Sequence, residues 1–141
     1  MGLAGQRTNL LALRKAAKEG PATDRIEFRE FVGDPAEALR HARAALSFSH
    51  SESFSLACQE ASAHGIPVIA TRSGGPEEIV EDGVTGYLVG VGDVDAMAQR
   101  MDKLLFDPTL ARRLGMAGAE LVRARFSPSD YANAIRRIYQ L

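Results

Sequence analysis

Tryptophan is absent from this sequence of 141 residues, and cysteine occurs once, as Cys58. A single thiol excludes an internal disulfide framework and a cysteine-rich zinc site. Aromatic residues make up only 6%, so exposed tryptophan platforms for carbohydrate are not available. Neither sign of charge is in excess: 17 Lys plus Arg stand against 18 Asp plus Glu, a formal net charge of -1. That balance leaves no electrostatic footprint for nucleic acid. No apolar run approaches the length of a transmembrane segment. Acid is missing between Met1 and Lys18, where Arg7, Arg14, Lys15 and Lys18 occur. Transit peptides share such a basic start, but Leu10, Leu11, Leu13 and Ala17 at helical spacing favour an ordinary helix. The expected location is cytoplasmic, with peripheral membrane attachment open for a longer parent chain.

The rest of the composition is that of a globular domain, with 45% hydrophobic and 25% charged residues. Short β-like runs alternate with helical ones. Helices are expected over 6–19, 35–43, 54–64, 76–81, 94–106, 108–114, 116–125 and 128–141. Strands are expected over 26–32, 44–49, 67–71 and 85–89. Asp34 and Pro35 suit the start of one helix, and Gly65 the end of another. Strands separated by single helices imply right-handed crossovers and a parallel sheet. The apolar run Val68-Ile69-Ala70 fits a sheet covered on both faces. The fold class expected is α/β: a parallel Rossmann-like sheet with flanking helices and a helical C-terminal tail, as a single domain over 1–141.

Ligands of open parallel sheets bind beyond the carboxyl ends of the strands. Two segments lie there. In the first, Ser49 to Leu56, a strand end meets a helix start, whose free N–H groups attract phosphate. Ser53 and Ser55 are small enough for close approach of a ligand. In the second, Gly74-Gly75-Pro76 precedes another helix start. Glu52 and Glu60 bracket the first segment. Across eight helical residues they would stand roughly 12 Å apart along the axis and within about 80° around it. Ionised carboxylates are pure acceptors and suit adjacent sugar hydroxyls. The separation exceeds the roughly 5–9.5 Å of a glycosidase carboxylate pair. A solvated Glu60 and a Glu52 favoured by the helix dipole alone are the structural alternative.

Taken together, Glu52-Ser53-Phe54-Ser55-Leu56-Ala57-Cys58-Gln59-Glu60-Ala61, Gly65-Ile66-Pro67-Val68-Ile69-Ala70-Thr71, Gly74-Gly75, Glu78-Ile79-Val80, Asp82-Gly83 and Gly86 resemble the C-terminal domain of GT-B glycosyltransferases. More narrowly they resemble the retaining group 1 family (family 4), whose pattern reads E-G-F-G-x-x-x-x-E-A-x-x-x-G-x-P-V-x-A-T and then G-G-x-x-E-I-V-x-D-G-x-x-G. Phe126-Ser127 and a terminal helix with Tyr131 fit that family's end. The resemblance implies a nucleotide-diphosphate-sugar donor as substrate, with no cofactor and no divalent metal. It implies that Glu60 accepts from the ribose hydroxyls and Glu52 contacts the donor sugar. Backbone amides around Phe54, Ser55 and Leu56 would meet the diphosphate, and Gly74-Gly75 would border the donor pocket.

Three departures accompany the resemblance. Ser53 and Ser55 stand where the family has glycine, and serine is a poor substitute where φ is positive. His50 falls at a variable position and receives no role. The N-terminal acceptor domain, two βα units and the basic diphosphate clamp are missing, so the isolated chain is expected to be inactive. With those units gone, strands 26–32 and 44–49 are expected to pair directly in a four-stranded sheet. Two other functions remain open. One is a non-enzymatic assembly module that self-associates through sheet edges. The other is a fragment of a nucleotide-sugar epimerase of GT-B architecture, against which the Glu52–Glu60 motif joined to Gly74-Gly75 argues.

Overall fold

A computed structural model describes residues 3–29 and 33–140, with the side chains of 3–9, 128 and 130 outside the description. The chain forms two compact units, Met1–Gly33 and Asp34–Leu141.

In the first unit, α1 (Leu3–Glu19) is followed by a 3₁₀ turn, Thr23–Arg25. Residues 26–29, the described part of the expected strand 26–32, form no strand, and 30–32 lie outside the described residues. An extended segment becomes a strand only when a neighbour takes up its backbone N–H and C=O groups. Residues 26–29 lean on α1 instead: the Arg14 guanidinium lies 5.6 Å from the Phe28 ring centroid. Glu27 and Arg29, on one side of the segment, pair at 2.9 Å, and the arginine holds the Glu27 carboxyl below its usual pKa.

The second unit runs α2 (Pro35–Leu39), β1 (Ala45–Ser47), α3 (Leu56–Ala63), β2 (Val68–Thr71), α4 (Pro76–Ile79), β3 (Gly86–Val89), α5 (Val94–Phe106), α6 (Pro108–Arg125) and α7 (Pro128–Tyr139). The sheet is parallel in the order β1-β2-β3, with Ala45 opposite Val68 and Val68 opposite Gly86. Among the described residues it has three strands rather than the four expected. Asp34, Asp93 and Asp107 cap α2, α5 and α6, each accepting a backbone N–H at 2.9 Å.

Strand alternation divides the core into two layers. Val68, Ala70 and Leu88 face Cys58 and Ala61 of α3, Ile79 of α4 and Val122 of α6. Ile69, Tyr87 and Val89 face Met97 and Leu104 of α5 and Ala111 and Leu114 of α6. Helix α6 is continuous, where the sequence suggested a break at Gly115. That glycine admits a neighbour: a Cβ there would collide with the Gly65 carbonyl. The sheet thus leaves the carboxyl ends of β1 and β2 open to the loops that follow them.

Candidate functional site

The two expected ligand segments meet. The loop after β1 is joined to the loop after β2 by backbone hydrogen bonds: Glu52 N donates to Ser73 O at 2.9 Å, and Gly75 N donates to Glu52 O at 2.6 Å. Glu52 and Gly74 form an isolated parallel bridge. Thr71 Oγ1 donates to the Ser49 carbonyl, and Gly74 N donates to Glu77 Oε2 at 3.0 Å. Only glycine fits at 74 and 75. Gly74 has φ 111, and a Cβ on it would stand 2.8 Å from Glu52 O. A Cβ on Gly75 would overlap the Phe54 backbone. Glu52, Phe54, Gly74 and Gly75 are therefore held together as one rigid corner.

Helix α3 rises from this corner. Its first residue is Leu56, so the stretch from Glu52 to Glu60 is only partly helical and the helical spacing does not set their separation. Ser55 caps the helix in the left-handed region, at φ 69, and its side chain makes no capping bond. The serine that replaces the family glycine therefore stands where glycine is favoured, at a cost of about 1–2 kcal/mol. No side chain caps the first N–H groups of α3.

The remaining site residues are placed unequally. Ser53 and the Leu56 side chain are exposed, and Phe54 is half-buried, edge-to-face with Phe126 at 5.4 Å between ring centroids. Glu52 is half-buried, and its Oε2 is shielded from water without a hydrogen-bond partner. Glu60 is exposed on α3. Cys58, buried under the corner, is a neighbour that sequence reasoning passed over. Burial pushes its thiol pKa up, the Ser55 hydroxyl opposes this, and the Glu52 carboxylate adds to the rise.

Two open cavities flank the corner. One of about 210 Å³ lies at the carboxyl ends of the strands, lined by Phe48, His50, Thr71, Gly90, Asp93 and Met97 among others. The other, about 630 Å³, is lined by Phe54, Gln59, Arg125, Phe126, Ser127 and Tyr131 among others. Neither Glu52 nor Glu60 lines either cavity. Arg125 is held by Glu81 at 2.7 Å. Among the described residues, no group of three or more His, Cys, Asp and Glu could hold a metal ion, and no helix is long and apolar enough to cross a membrane.

The sequence profile of the family described as "Glycosyl transferases group 1" matches residues 2–121. An N-acetyl-alpha-D-glucosaminyl L-malate synthase of Bacillus anthracis is 34% identical over 137 residues, covering 97% of this chain and 36% of that protein. A sucrose-phosphate synthase structure from Thermosynechococcus elongatus superposes with a TM-score of 0.84 at 32% identity, over 96% of this chain and 34% of the other. The Anabaena HepE structure in complex with UDP has a TM-score of 0.92 at 22% identity, over 98% of this chain and 38% of the other. This last likeness is one of fold. The chain thus spans about a third of the length of these relatives. Its parallel sheet with flanking helices is that of GT-B glycosyltransferases, and the chain belongs to the group 1 glycosyl transferases.

Proposed function

We propose that this chain is the donor-binding portion of a retaining glycosyltransferase that takes a nucleotide-diphosphate-sugar as donor. The observation that carries the reading is the uncapped start of α3, rising from the corner that joins the Glu52 loop to Gly74-Gly75. A diphosphate set against the N–H groups around Phe54, Ser55 and Leu56 accepts from donors that no side chain caps. Glu60, exposed further along α3, accepts from the ribose hydroxyls. Glu52 accepts from the donor sugar through its outer oxygen, with Ser53 leaving room for the approach. The fold relative HepE was crystallised with UDP and with UDP-glucose, which supports the ligand class.

The reaction is transfer of the glycosyl group with retention. The bond from the anomeric carbon to the diphosphate oxygen breaks, and a bond to an acceptor hydroxyl oxygen forms on the same face. The nucleoside diphosphate leaves, and its freed oxygen takes up the proton that the acceptor hydroxyl gives up. Developing charge on the leaving diphosphate is met by the helix N–H groups, without a metal ion or other cofactor. The acceptor binds to a further domain, so the 141-residue chain binds donor but does not turn over. Residues 1–141 count as a single partial domain in this reading, because the family match crosses the boundary at Gly33. A cytoplasmic location, peripheral to the membrane in a longer protein, belongs to the same reading.

Calorimetric titration with UDP, GDP and ADP, and with UDP-glucose, tests it. Binding of at least one nucleotide, weakened by Glu60→Ala without a fall in melting temperature, is expected. A folded chain that binds none of them refutes the assignment. One observation favours a second reading. Among the described residues β1 has a neighbour on one side only, and its Leu46 and the following Phe48 are exposed. A tight oligomer by light scattering, indifferent to nucleotide, would make the chain an assembly module instead.

A further inference from the structure

The open cavity of about 210 Å³ takes no part in the donor-binding reading, yet it lies where ligands of parallel sheets bind. All three strands supply its walls. Phe48 and His50 follow β1, Thr71 ends β2, and Gly90 and Asp93 follow β3. Thr71 is buried, and its hydroxyl is committed to the Ser49 carbonyl. Three other groups are uncommitted. The Phe48 side chain is 62% exposed, an apolar ring left in water. His50 is exposed, and among the described residues its imidazole has no hydrogen bond or ion pair. Asp93 accepts the Ala96 N–H through Oδ1 as the cap of α5, which leaves Oδ2 to accept from elsewhere.

No lysine or arginine lines the cavity, so a phosphate or other anion would meet the Asp93 carboxylate with no cation to offset it. A neutral body with an apolar face and a rim of hydroxyls suits these walls. A pyranose ring is such a body: its C–H groups cover an aromatic ring, and its hydroxyls bond to a carboxylate and an imidazole. The volume falls below the roughly 300–1,000 Å³ of sites for drug-sized ligands, so it holds one ring rather than a chain of them. We propose that this cavity is a subsite for one sugar ring, the acceptor ring of the glycosyl transfer. Asp93 Oδ2 accepts from one hydroxyl, His50 bonds a second, and Phe48 packs against the C–H face. His50 stands two residues before Glu52, and two residues of chain span at most about 7 Å. A ring at His50 is therefore close to the donor sugar that Glu52 meets in the donor-binding reading. The further domain then holds the remainder of the acceptor. The assignment to an acceptor rests on that reading, whereas the sugar subsite does not.

The test titrates the 141-residue chain with methyl α-D-glucopyranoside and methyl α-D-mannopyranoside, following the NMR signals of the Phe48 ring and the His50 imidazole. Both signals should move in one saturable titration with at least one glycoside. No saturable shift with either overturns the proposal. Cyclohexanol, a ring with a single hydroxyl, should bind more weakly; equal binding makes the cavity a mere apolar crevice and also overturns it. Asp93→Asn keeps the cap of α5, because asparagine caps as well as aspartate. It should weaken the glycoside about tenfold, the size of a hydrogen bond to a charged group, with no fall in melting temperature. Unchanged affinity removes Asp93 from the site and overturns the proposal. Phe48→Ala and His50→Ala, both at exposed positions, should each weaken the glycoside several-fold, and they carry the test if Asp93→Asn fails to fold. The wild-type titration is then repeated with UDP-glucose in excess. Undiminished glycoside binding is expected, and displacement by UDP-glucose would make the cavity the donor's own sugar site and overturn the proposal. If the chain binds a glycoside but no nucleotide-sugar, the donor-binding reading fails by itself: the sugar subsite is upheld, and its assignment to an acceptor falls.

Discussion

Ile69, Ile79, Leu104 and Leu114 are fully shut away from water, whereas every described side chain between residues 10 and 29 stays in contact with it. Both regions have apolar residues at regular spacing. In the second unit the sheet supplies two faces, and α3, α5 and α6 cover them. In the first, Leu11 and Leu13 are 67% and 61% exposed, and Phe28 is capped by a guanidinium. Periodicity specifies which face of an element is apolar. Burial requires a second element placed to cover it.

The largest expected break in this comparison comes from glycines. Gly115→Val drives a side chain into the Gly65 carbonyl, and Gly75→Val drives one into the Phe54 backbone. Each should cost more than about 4 kcal/mol and abolish the cooperative near-ultraviolet or NMR melting transition. Gly33→Ala, whose Cβ would meet nothing within 4 Å, should leave the transition within about 0.5 kcal/mol of wild type. A cooperative melt retained by Gly115→Val would mean that α6 does not approach the α3–β2 turn so closely.

Leucine truncation sharpens the same contrast. Leu114→Ala empties a completely enclosed position and should cost about 2–5 kcal/mol in urea unfolding. Leu11→Ala removes a side chain that is mostly in water and should change stability by less than about 0.5 kcal/mol. Comparable losses at the two positions would show that α1 is packed as tightly as the sheet.

These contrasts also show which features the sequence made legible. Val68-Ile69-Ala70 reads as a buried strand because the run is apolar throughout, and the helix expected over 94–106 is α5 with those bounds. Strand 26–32 has the right composition, but a strand is a property of two segments, and its described part has no ladder. The break expected in α6 failed because Gly115 answers to Gly65, a residue far away in the chain. At the site, Glu52 and Gly74-Gly75 were legible as separate motifs. Their junction was not, because it is made by backbone groups that every residue carries. Ser55 at positive φ was foreshadowed by the glycine it replaces. Its unpaired hydroxyl, and the buried thiol beside it, depend on packing that no local pattern encodes.

A smaller effect is expected from Cys58. Burial raises its pKa in the folded state. The unfolded chain therefore gives up the thiol proton first, near about pH 8.5. Stability is fully present below that pH. It falls as pH rises toward the folded value, by at most about 1.4 kcal/mol per pH unit. Cys58→Ala should flatten this alkaline slope of the urea midpoint above about pH 8.5. A slope that persists in the variant would belong to other groups, and the corner over Cys58 would be more open to water than the interior beneath the sheet.

The smallest effect is expected from the ion pair between Arg125 Nη2 and Glu81 Oε1, at 2.7 Å. It ties the end of α6 to the turn after α4, and its short distance suggests a strong link. Both side chains are about half exposed, 54% and 43%, so water screens the attraction while two long side chains lose their freedom. The turn has its own support, since Thr85 Oγ1 accepts from Glu81 N at 2.8 Å and Thr85 N donates to Glu81 O at 2.9 Å. Glu81→Gln should therefore cost less than about 1 kcal/mol. The difference from wild type should shrink as salt is raised toward 1 M, where the screening length is about 3 Å. A loss above about 2 kcal/mol that survives high salt would place the pair in a desolvated setting. The second unit would then depend on a charged clasp as well as on its two apolar layers, and its contrast with the exposed Glu27–Arg29 pair of the first would extend from the core to the surface.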